Sequence, residues 1–266
     1  THGEHFLLFS NLPKERAAGA VKLMESEFSI LEKTLGKSAV NWVEKVNIFV
    51  FNDRKDFVEF LRTIENREAG AGVASSGDLE VASPYLVALD PLAGRKEELA
   101  SSSSRTKGRS KKASERLATG AERSLGGLLT EALGESAVAA LGKSPRWLSM
   151  GLGTFLASQI EPQGTYYQRL RQIAAEAYRE GWPAKGTQVL DEGDQVTALE
   201  SRAVAFSMVE MLLLSPELRP VFPNFVKGLG EGKKLDDLLR SVYQASREDF
   251  LNQAGAWVAR RLAAGQ

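Results

Sequence analysis

The chain has 266 residues, 43% of them hydrophobic, which is enough to bury the core of one large or two small domains. Its 34 Lys and Arg residues balance its 34 Asp and Glu residues, which excludes a global charge that would favour nucleic acid or an anionic membrane. The absence of cysteine excludes disulfides, thiolate zinc fingers, iron–sulfur clusters and a cysteine nucleophile.

Three short apolar runs in the first third of the chain predict β-strands. They are HFLLFS at 5–10, VNIFVF at 46–51 and YLVALD at 85–90, and they are rich in the β-branched and aromatic residues that strands favour. The segments between the first and second runs and after the second run have helical periodicity. We therefore expect a small mixed β-sheet with helices on one side.

Two amphipathic helices are predicted among these strands. In the first, apolar residues recur at three-to-four spacing from Ala17 to Leu35, and Gly36 provides a stop. The second begins after the cap-like Asn52. Its predicted apolar face contains Phe57, Phe60, Leu61 and Ile64.

Residues 94–114 interrupt this periodicity with four consecutive serines and a basic stretch at 105–112, so we predict a loop or linker there. Helical periodicity then resumes and predicts helices at 115–141, 145–160, 165–180, 197–214, 218–229, 234–243 and 246–264. The predicted fold class is α+β. An N-terminal α/β part at 1–93 and a helical part at 115–266, joined by the loop, are interpreted as one composite domain.

The stretch LLTEALGESAVAALGKSPRWLSMGLGTFLASQ at 128–159 carries the clearest resemblance to a known family. It is similar to the gluzincin metallopeptidases, and specifically to bacterial peptidase-MA-like domains of unknown function. Such domains carry HExxH on one helix and a segment like PxWLxEGxAxY on the next. The resemblance implies a zincin-like fold, in which the two histidines and the downstream glutamate bind zinc and the first glutamate is the general base.

The metal ligands of that pattern are replaced in this chain. Of the four chemically active positions only the base is present, as Glu131, whereas the ligand positions hold Thr130, Gly134 and Met150. Glycine has no side-chain donor, a threonine hydroxyl is a poor donor, and a methionine thioether prefers soft metals to zinc. We therefore predict no metal and no cofactor, and we expect zinc affinity to return when Thr130→His, Gly134→His and Met150→Glu are combined.

The function that this pattern predicts is that of a catalytically inactive, metallopeptidase-like domain with a protein-binding or scaffolding role. The resemblance places a protein or peptide segment in the former substrate cleft, where Trp147, Gly151 and Gly153 are the expected contact residues. Glu131 is interpreted either as a buried residue that accepts hydrogen bonds or, with slight preference, as a partly exposed helix residue without a chemical role.

Two alternatives from other classes stay open. The first is a metal-independent hydrolase that uses Glu131. The second is attachment to an anionic surface through the basic stretch 105–112, although this stretch has no interleaved aromatic residue for base stacking and a solvated loop is favoured. No nucleic-acid partner is expected, and the oligomeric state is left open.

The N-terminal region and the apolar runs bear on the compartment. No apolar run reaches the 18 residues that a membrane-spanning helix needs. Because the chain opens on Thr1 rather than Met, we expect that an upstream segment, which could have carried an export signal, has been removed. His2 and His5 are interpreted as residues of a strand end rather than as a metal site.

Overall fold

The computed structural model describes residues 1–37, 42, 44–70, 72–92, 122–192 and 198–264. The chain divides into two compact units, one comprising 1–28 and 42–133 and the other comprising 29–41 and 134–266. The predicted loop 94–114 and the basic stretch 105–112 lie outside the described residues.

The first unit contains a four-stranded mixed sheet. Its strands are β1 (Phe6–Ser10), β2 (Val46–Phe51), β3 (Ser75–Asp78) and β4 (Tyr85–Leu89). Their spatial order is β1-β2-β4-β3, with β1, β2 and β4 parallel and β3 antiparallel to β4. The three strands that apolar runs predict are confirmed. The sequence did not predict β3, because Ser-Ser-Gly-Asp has neither β-branched nor aromatic residues.

Helices α1 (Lys14–Leu35) and α2 (Arg54–Ile64) follow β1 and β2. As predicted, α1 buries its apolar residues, including Met24 and Leu31, and Gly36 follows it with a φ of +90°, in the region that glycine tolerates. The cap of α2 differs from the prediction: Asp53, rather than Asn52, accepts the hydrogen bond from the Lys55 N–H at 2.6 Å.

Helices lie on both faces of the sheet, so the prediction of helices on one side is wrong. On one face Phe28 of α1 packs against Phe6 of β1, and α2 lies on the other. Phe57 and Leu61 of α2 pack with alternate residues of β4, as the period of two in a strand requires. Ile64, which was expected on the same face, is 56% exposed. It is the last residue of α2, so no further helical turn follows to cover its side chain.

Helices follow in the rest of the described chain. Helix α3 (Leu125–Ala139) crosses the division between the units. Eight elements then belong to the second unit: α4 (Arg146–Ile160), α5 (Thr165–Gly181), α6 (Ala184–Leu190), α7 (Ala198–Leu214), a 3₁₀ turn (Arg219–Val221), α8 (Phe222–Gly230), α9 (Leu235–Tyr243) and α10 (Arg247–Ala264). Of the helix predicted at 115–141, residues 115–121 lie outside the described residues, residues 122–124 are not helical, and α3 begins at Leu125.

The α+β fold class is confirmed, with a small mixed sheet and helices in the N-terminal part and a helical C-terminal part. The predicted cap of the last helix is also present, since Ser246 and Asp249 exchange hydrogen bonds, with Asp249 Oδ2 accepting from Ser246 Oγ at 2.6 Å. In the described part of the chain, every helix is too short or too polar to cross a bilayer.

Candidate functional site

The glutamate that the resemblance to gluzincins aligns with their general base is buried in an ion pair. Glu131 lies in the second turn of α3, where its side chain is 2% exposed. Its Oε2 accepts a hydrogen bond from the Nη1 of Arg123, which is 5% exposed and lies just before the helix. The preferred interpretation of Glu131 as a partly exposed residue is therefore wrong, because a carboxylate removed from water needs such a partner.

Thr130, at the position of the first histidine, precedes Glu131 on the same helix and is fully buried. Its hydroxyl makes no hydrogen bond with the described residues. An unpaired hydroxyl in the interior costs free energy. Thr130 therefore contributes to packing through its methyl group. A neutral hydroxyl is also a poor zinc ligand.

Gly134, at the position of the second histidine, marks a close contact between two helices. A Cβ added there would lie 2.7 Å from Gly153 Cα and 3.1 Å from Gly153 N. Both atoms belong to the backbone of α4, which cannot rotate away as a side chain can. A histidine at position 134 therefore has no room, and the expected return of zinc affinity in the triple variant is corrected.

The remaining predicted site residues have packing contacts in place of the expected ligand contacts. Trp147 is 1% exposed, and its ring packs near Phe225 and Phe250. A Cβ at Gly151 would lie 2.6 Å from the Ala205 carbonyl oxygen of α7. Met150, at the position of the glutamate ligand, is buried at 7% exposure. Helix α4 is buried from Met150 to Ser158, which is typical of a central core helix.

The residues present do not fit a catalytic zinc. Such a site needs three protein donors drawn from His, Asp, Glu or Cys. Within the described ranges, no group of three such residues is close enough to hold a metal ion. The two helix positions from which the ligands would extend hold a buried threonine and a glycine in contact with a neighbouring backbone.

The histidines at the N-terminus contact the sheet and α1 of the first unit. His2 forms a bridge with Leu7. His5 Nδ1 lies 2.6 Å from Glu25 Oε2, and the imidazole stacks on the Phe28 ring. Burial opposes ionisation of Glu25, but the hydrogen bonds from His5 outweigh it and lower the pKa of this carboxyl. The two histidines therefore have separate structural roles.

The two outer edges of the sheet differ in how they are occupied. At the β1 edge, the first residues of the chain fold back: the Leu8 N–H donates to the Thr1 carbonyl at 2.9 Å, and the Gly3 N–H donates to the Phe6 carbonyl at 2.8 Å. At the other side, β3 pairs with β4 only, and its outer edge is unpaired with any strand of the described residues. An unpaired edge presents hydrogen-bonding groups to a partner strand.

The register determines which groups of β3 point outward. The Leu89 N–H donates to the Ala74 carbonyl at 2.9 Å, so the opposed residues 74 and 89 form a hydrogen-bonded pair. Such pairs alternate with pairs that are not hydrogen-bonded in an antiparallel ladder. Ser75 and Gly77, opposite Ala88 and Leu86, therefore direct their backbone N–H and C=O groups to the free edge.

A polar network fixes the segment beside this edge. The Tyr85 hydroxyl donates to Glu65 Oε1 at 3.2 Å, and Ser76 Oγ donates to Glu65 Oε2 at 3.0 Å. Arg67 also donates to Ser76 Oγ, at 2.7 Å. Burial, together with the nearby Glu65 charge, raises the pKa of Tyr85, so this hydroxyl stays a donor at neutral pH. A pocket of about 570 Å³ is lined by Glu65, Arg67 and Tyr85 of this network and by Asp78.

Sequence reasoning missed two features of the candidate site. Arg123 precedes the resemblance to the gluzincin motifs, and nothing in the residues near it indicates its pairing with Glu131. The contact between Gly134 and Gly153 was also missed. The one signal available for it was the presence of small residues in two consecutive apolar helices.

Comparison of the chain with protein-family models, with curated proteins and with solved structures found no match.

Proposed function

We propose that this chain is a catalytically inactive, metallopeptidase-like domain that binds an extended segment of a partner protein along the edge of β3. The observation that carries the loss of catalysis is the buried ion pair between Glu131 and Arg123. A general base must lie within hydrogen-bond reach of the water it activates. Here the carboxylate instead accepts a hydrogen bond from a buried guanidinium.

The chemistry of peptide hydrolysis argues against the alternative, a metal-independent hydrolase that uses Glu131. General-base assistance is typically worth about 10² to 10⁴ in rate, which is far below what peptide hydrolysis requires. Without a metal, the tetrahedral oxyanion also needs a stabilising donor. Near Glu131 on the same helix, Thr130 is fully buried and Gly134 has no side chain to donate.

Binding at β3 is supported by the difference between the two sheet edges. Strand addition uses the backbone groups of an open edge for affinity and the adjacent pockets for specificity. The β1 edge is covered by the first residues of the chain, whereas the outward backbone groups of Ser75 and Gly77 pair with no strand of the described residues. The pocket beside Tyr85 could take one side chain of the bound segment.

The charge at this edge favours a segment with a basic residue. Asp78 ends β3 and Glu80 follows it, and neither carboxylate forms an ion pair with a described residue. Within the described ranges, Asp78 Oδ1 accepts a hydrogen bond from the Glu80 N–H alone. A Lys or Arg of the partner would therefore meet uncompensated negative charge at the end of the strand.

A cleavage assay and a binding assay on the same protein test this function. We expect no cleavage of a peptide library above a buffer blank, in wild type and in Glu131→Gln alike. Cleavage that is present in wild type and lost in Glu131→Gln would overturn the proposal.

For binding, a library of displayed peptides is selected on the wild-type protein. The selected peptides are then tested on Ser75→Pro, which removes one outward N–H from an edge position where proline is tolerated, and on the matched control Ser75→Ala. We expect binding to be lost in the first variant and kept in the second. Equal binding to both variants would place the partner elsewhere.

A further inference from the structure

A buried glutamate in the second unit is shared by two arginines. Glu210 of α7 is 2% exposed, and its Oε1 accepts hydrogen bonds from Arg171 Nη2 at 2.8 Å and from Arg261 Nη2 at 3.0 Å. Arg171 Nε also lies 3.2 Å from this oxygen. The second oxygen of Glu210, Oε2, lies 3.4 Å from Trp257 Nε1. Three helices, α5, α7 and α10, thus meet at one carboxylate.

The charges at this point do not balance. Neither Arg171 nor Arg261 forms an ion pair with any other carboxylate of the described residues. Two guanidinium groups paired with one carboxylate leave a net charge of about +1. One arginine would be enough to neutralise the buried Glu210. Arg171 Nη1 and Arg261 Nε and Nη1 also make no hydrogen bond with the described residues. Positive charge and free donors are therefore present together.

Both guanidinium groups are held in place by aromatic rings. Arg171 Cζ lies 5.1 Å from the centre of the Phe206 ring, and Arg261 Cζ lies 5.6 Å from the centre of the Trp257 ring. Such cation–π contacts, with the shared carboxylate, fix the planes of the two groups before any ligand arrives. The arginines nevertheless keep contact with solvent, with exposures of 27% and 45%.

A small pocket opens beside these donors. Its volume is about 80 Å³, and its lining residues include Ala174, Trp257 and Val258 as well as Arg171, Arg261 and the shared Glu210. The pocket therefore has an apolar part and a cationic part. A ligand that fits must be small, must carry one negative charge and must have a short apolar body.

We propose that this pocket binds a carboxylate with a short apolar group. The carboxylate would accept hydrogen bonds from the free donors of Arg171 and Arg261, and the apolar group would pack against Trp257. Planar guanidinium groups match a carboxylate well, and a monoanion matches the net charge of the site. This chemistry is shared by a free small acid and by the carboxyl terminus of a peptide. The proposal does not depend on the β3 edge.

The wild-type protein is titrated with sodium butyrate at constant ionic strength, and the indole N–H signal of Trp257 is followed by NMR. We expect a saturable shift, because this N–H contacts Glu210 inside the pocket wall. Titrations with 1-butanol and with inorganic phosphate separate the apolar and anionic contributions. A shift of equal size and affinity with either of them would overturn the proposal, as would the absence of any shift with all carboxylate probes.

Variants locate the binding. Arg261→Gln should weaken butyrate about tenfold to hundredfold, the effect of losing a charged hydrogen bond. Arg260→Gln, a neighbouring exposed arginine with the same charge change, should have no effect. Equal weakening in both would mean that only general charge matters and would overturn the proposal. Ala174→Leu fills the pocket without changing its charge and should abolish binding, whereas retained binding would contradict the site.

The two sources of the carboxylate are distinguished by a short peptide that ends in alanine, offered with a free carboxyl terminus or as its amide. If butyrate binds and the peptide does not, the ligand is a free acid. If the free peptide binds and the amide does not, the pocket reads a chain end. Both results support a carboxylate site, whereas equal binding of peptide and amide would contradict it.

Discussion

The contact between Gly134 and Gly153 gives the sharpest test of how closely α3 and α4 pack. Replacing Gly134 by alanine adds one Cβ, which would lie 2.7 Å from Gly153 Cα. Alanine also improves helix propensity by about 1 kcal/mol relative to glycine. Overpacking of a tight core typically costs about 1–3 kcal/mol. The measured change in the free energy of unfolding is therefore the sum of two opposed effects.

A second glycine separates those effects. Gly19 is exposed on α1, and a Cβ added there would meet no atom within 4 Å, so Gly19→Ala should gain the helix propensity alone. The difference in unfolding free energy between the two variants should isolate the steric cost of about 1–3 kcal/mol, with Gly134→Ala the less stable. Urea denaturation followed by circular dichroism measures it. If both variants are stabilised equally, the close helix contact does not exist.

The same steric reasoning extends to the triple variant that introduces metal ligands. In Gly134→His the imidazole adds five more heavy atoms beyond that Cβ, so the cost exceeds that of alanine. We expect the combination of Thr130→His, Gly134→His and Met150→Glu to lose stability rather than to gain zinc affinity. A folded triple variant that binds zinc stoichiometrically would show that the two helices can separate, and would refute the packing argument.

Three further predictions address charge and metal. Arg123→Met should lower the free energy of unfolding by about 3–5 kcal/mol because it removes the buried cation that is paired with the Glu131 carboxylate; adding Glu131→Leu should recover part of the loss, and a purely additive cycle in urea would argue against the pair. Glu27 is 5% exposed, has no ion pair or hydrogen bond with the described residues, and burial raises its pKa to about 7. Since the unfolded carboxyl has the ordinary value of 4.5, stability should fall as pH rises from about 4.5 to about 7, and Glu27→Gln should flatten that decline; an unchanged pH profile would contradict the shift. Purified protein should contain no stoichiometric zinc and keep its thermal midpoint in a chelator, because an absent ligand cannot stabilise the fold; equimolar zinc by elemental analysis would refute this.

Much of the fold could be predicted from the sequence because it depends on local patterns. The apolar period of α1 determines which side of this helix is buried, and the apolar runs of β2 and β4 mark buried strands, whatever these elements pack against. The cap at Ser246 and Asp249 is equally local, since both partners lie within one helical turn.

The tertiary structure decided the features that depend on residues distant in sequence. Strand β3 forms only because β4 offers its edge, since its own residues have little strand propensity. The shared carboxylate of Glu210 joins residues 39 and 51 positions away, and no periodicity encodes such a meeting. The close contact at Gly134 likewise requires the backbone of α4 to approach this position. A pattern determines which face of an element is buried, but the neighbour that buries it follows from how the elements pack together.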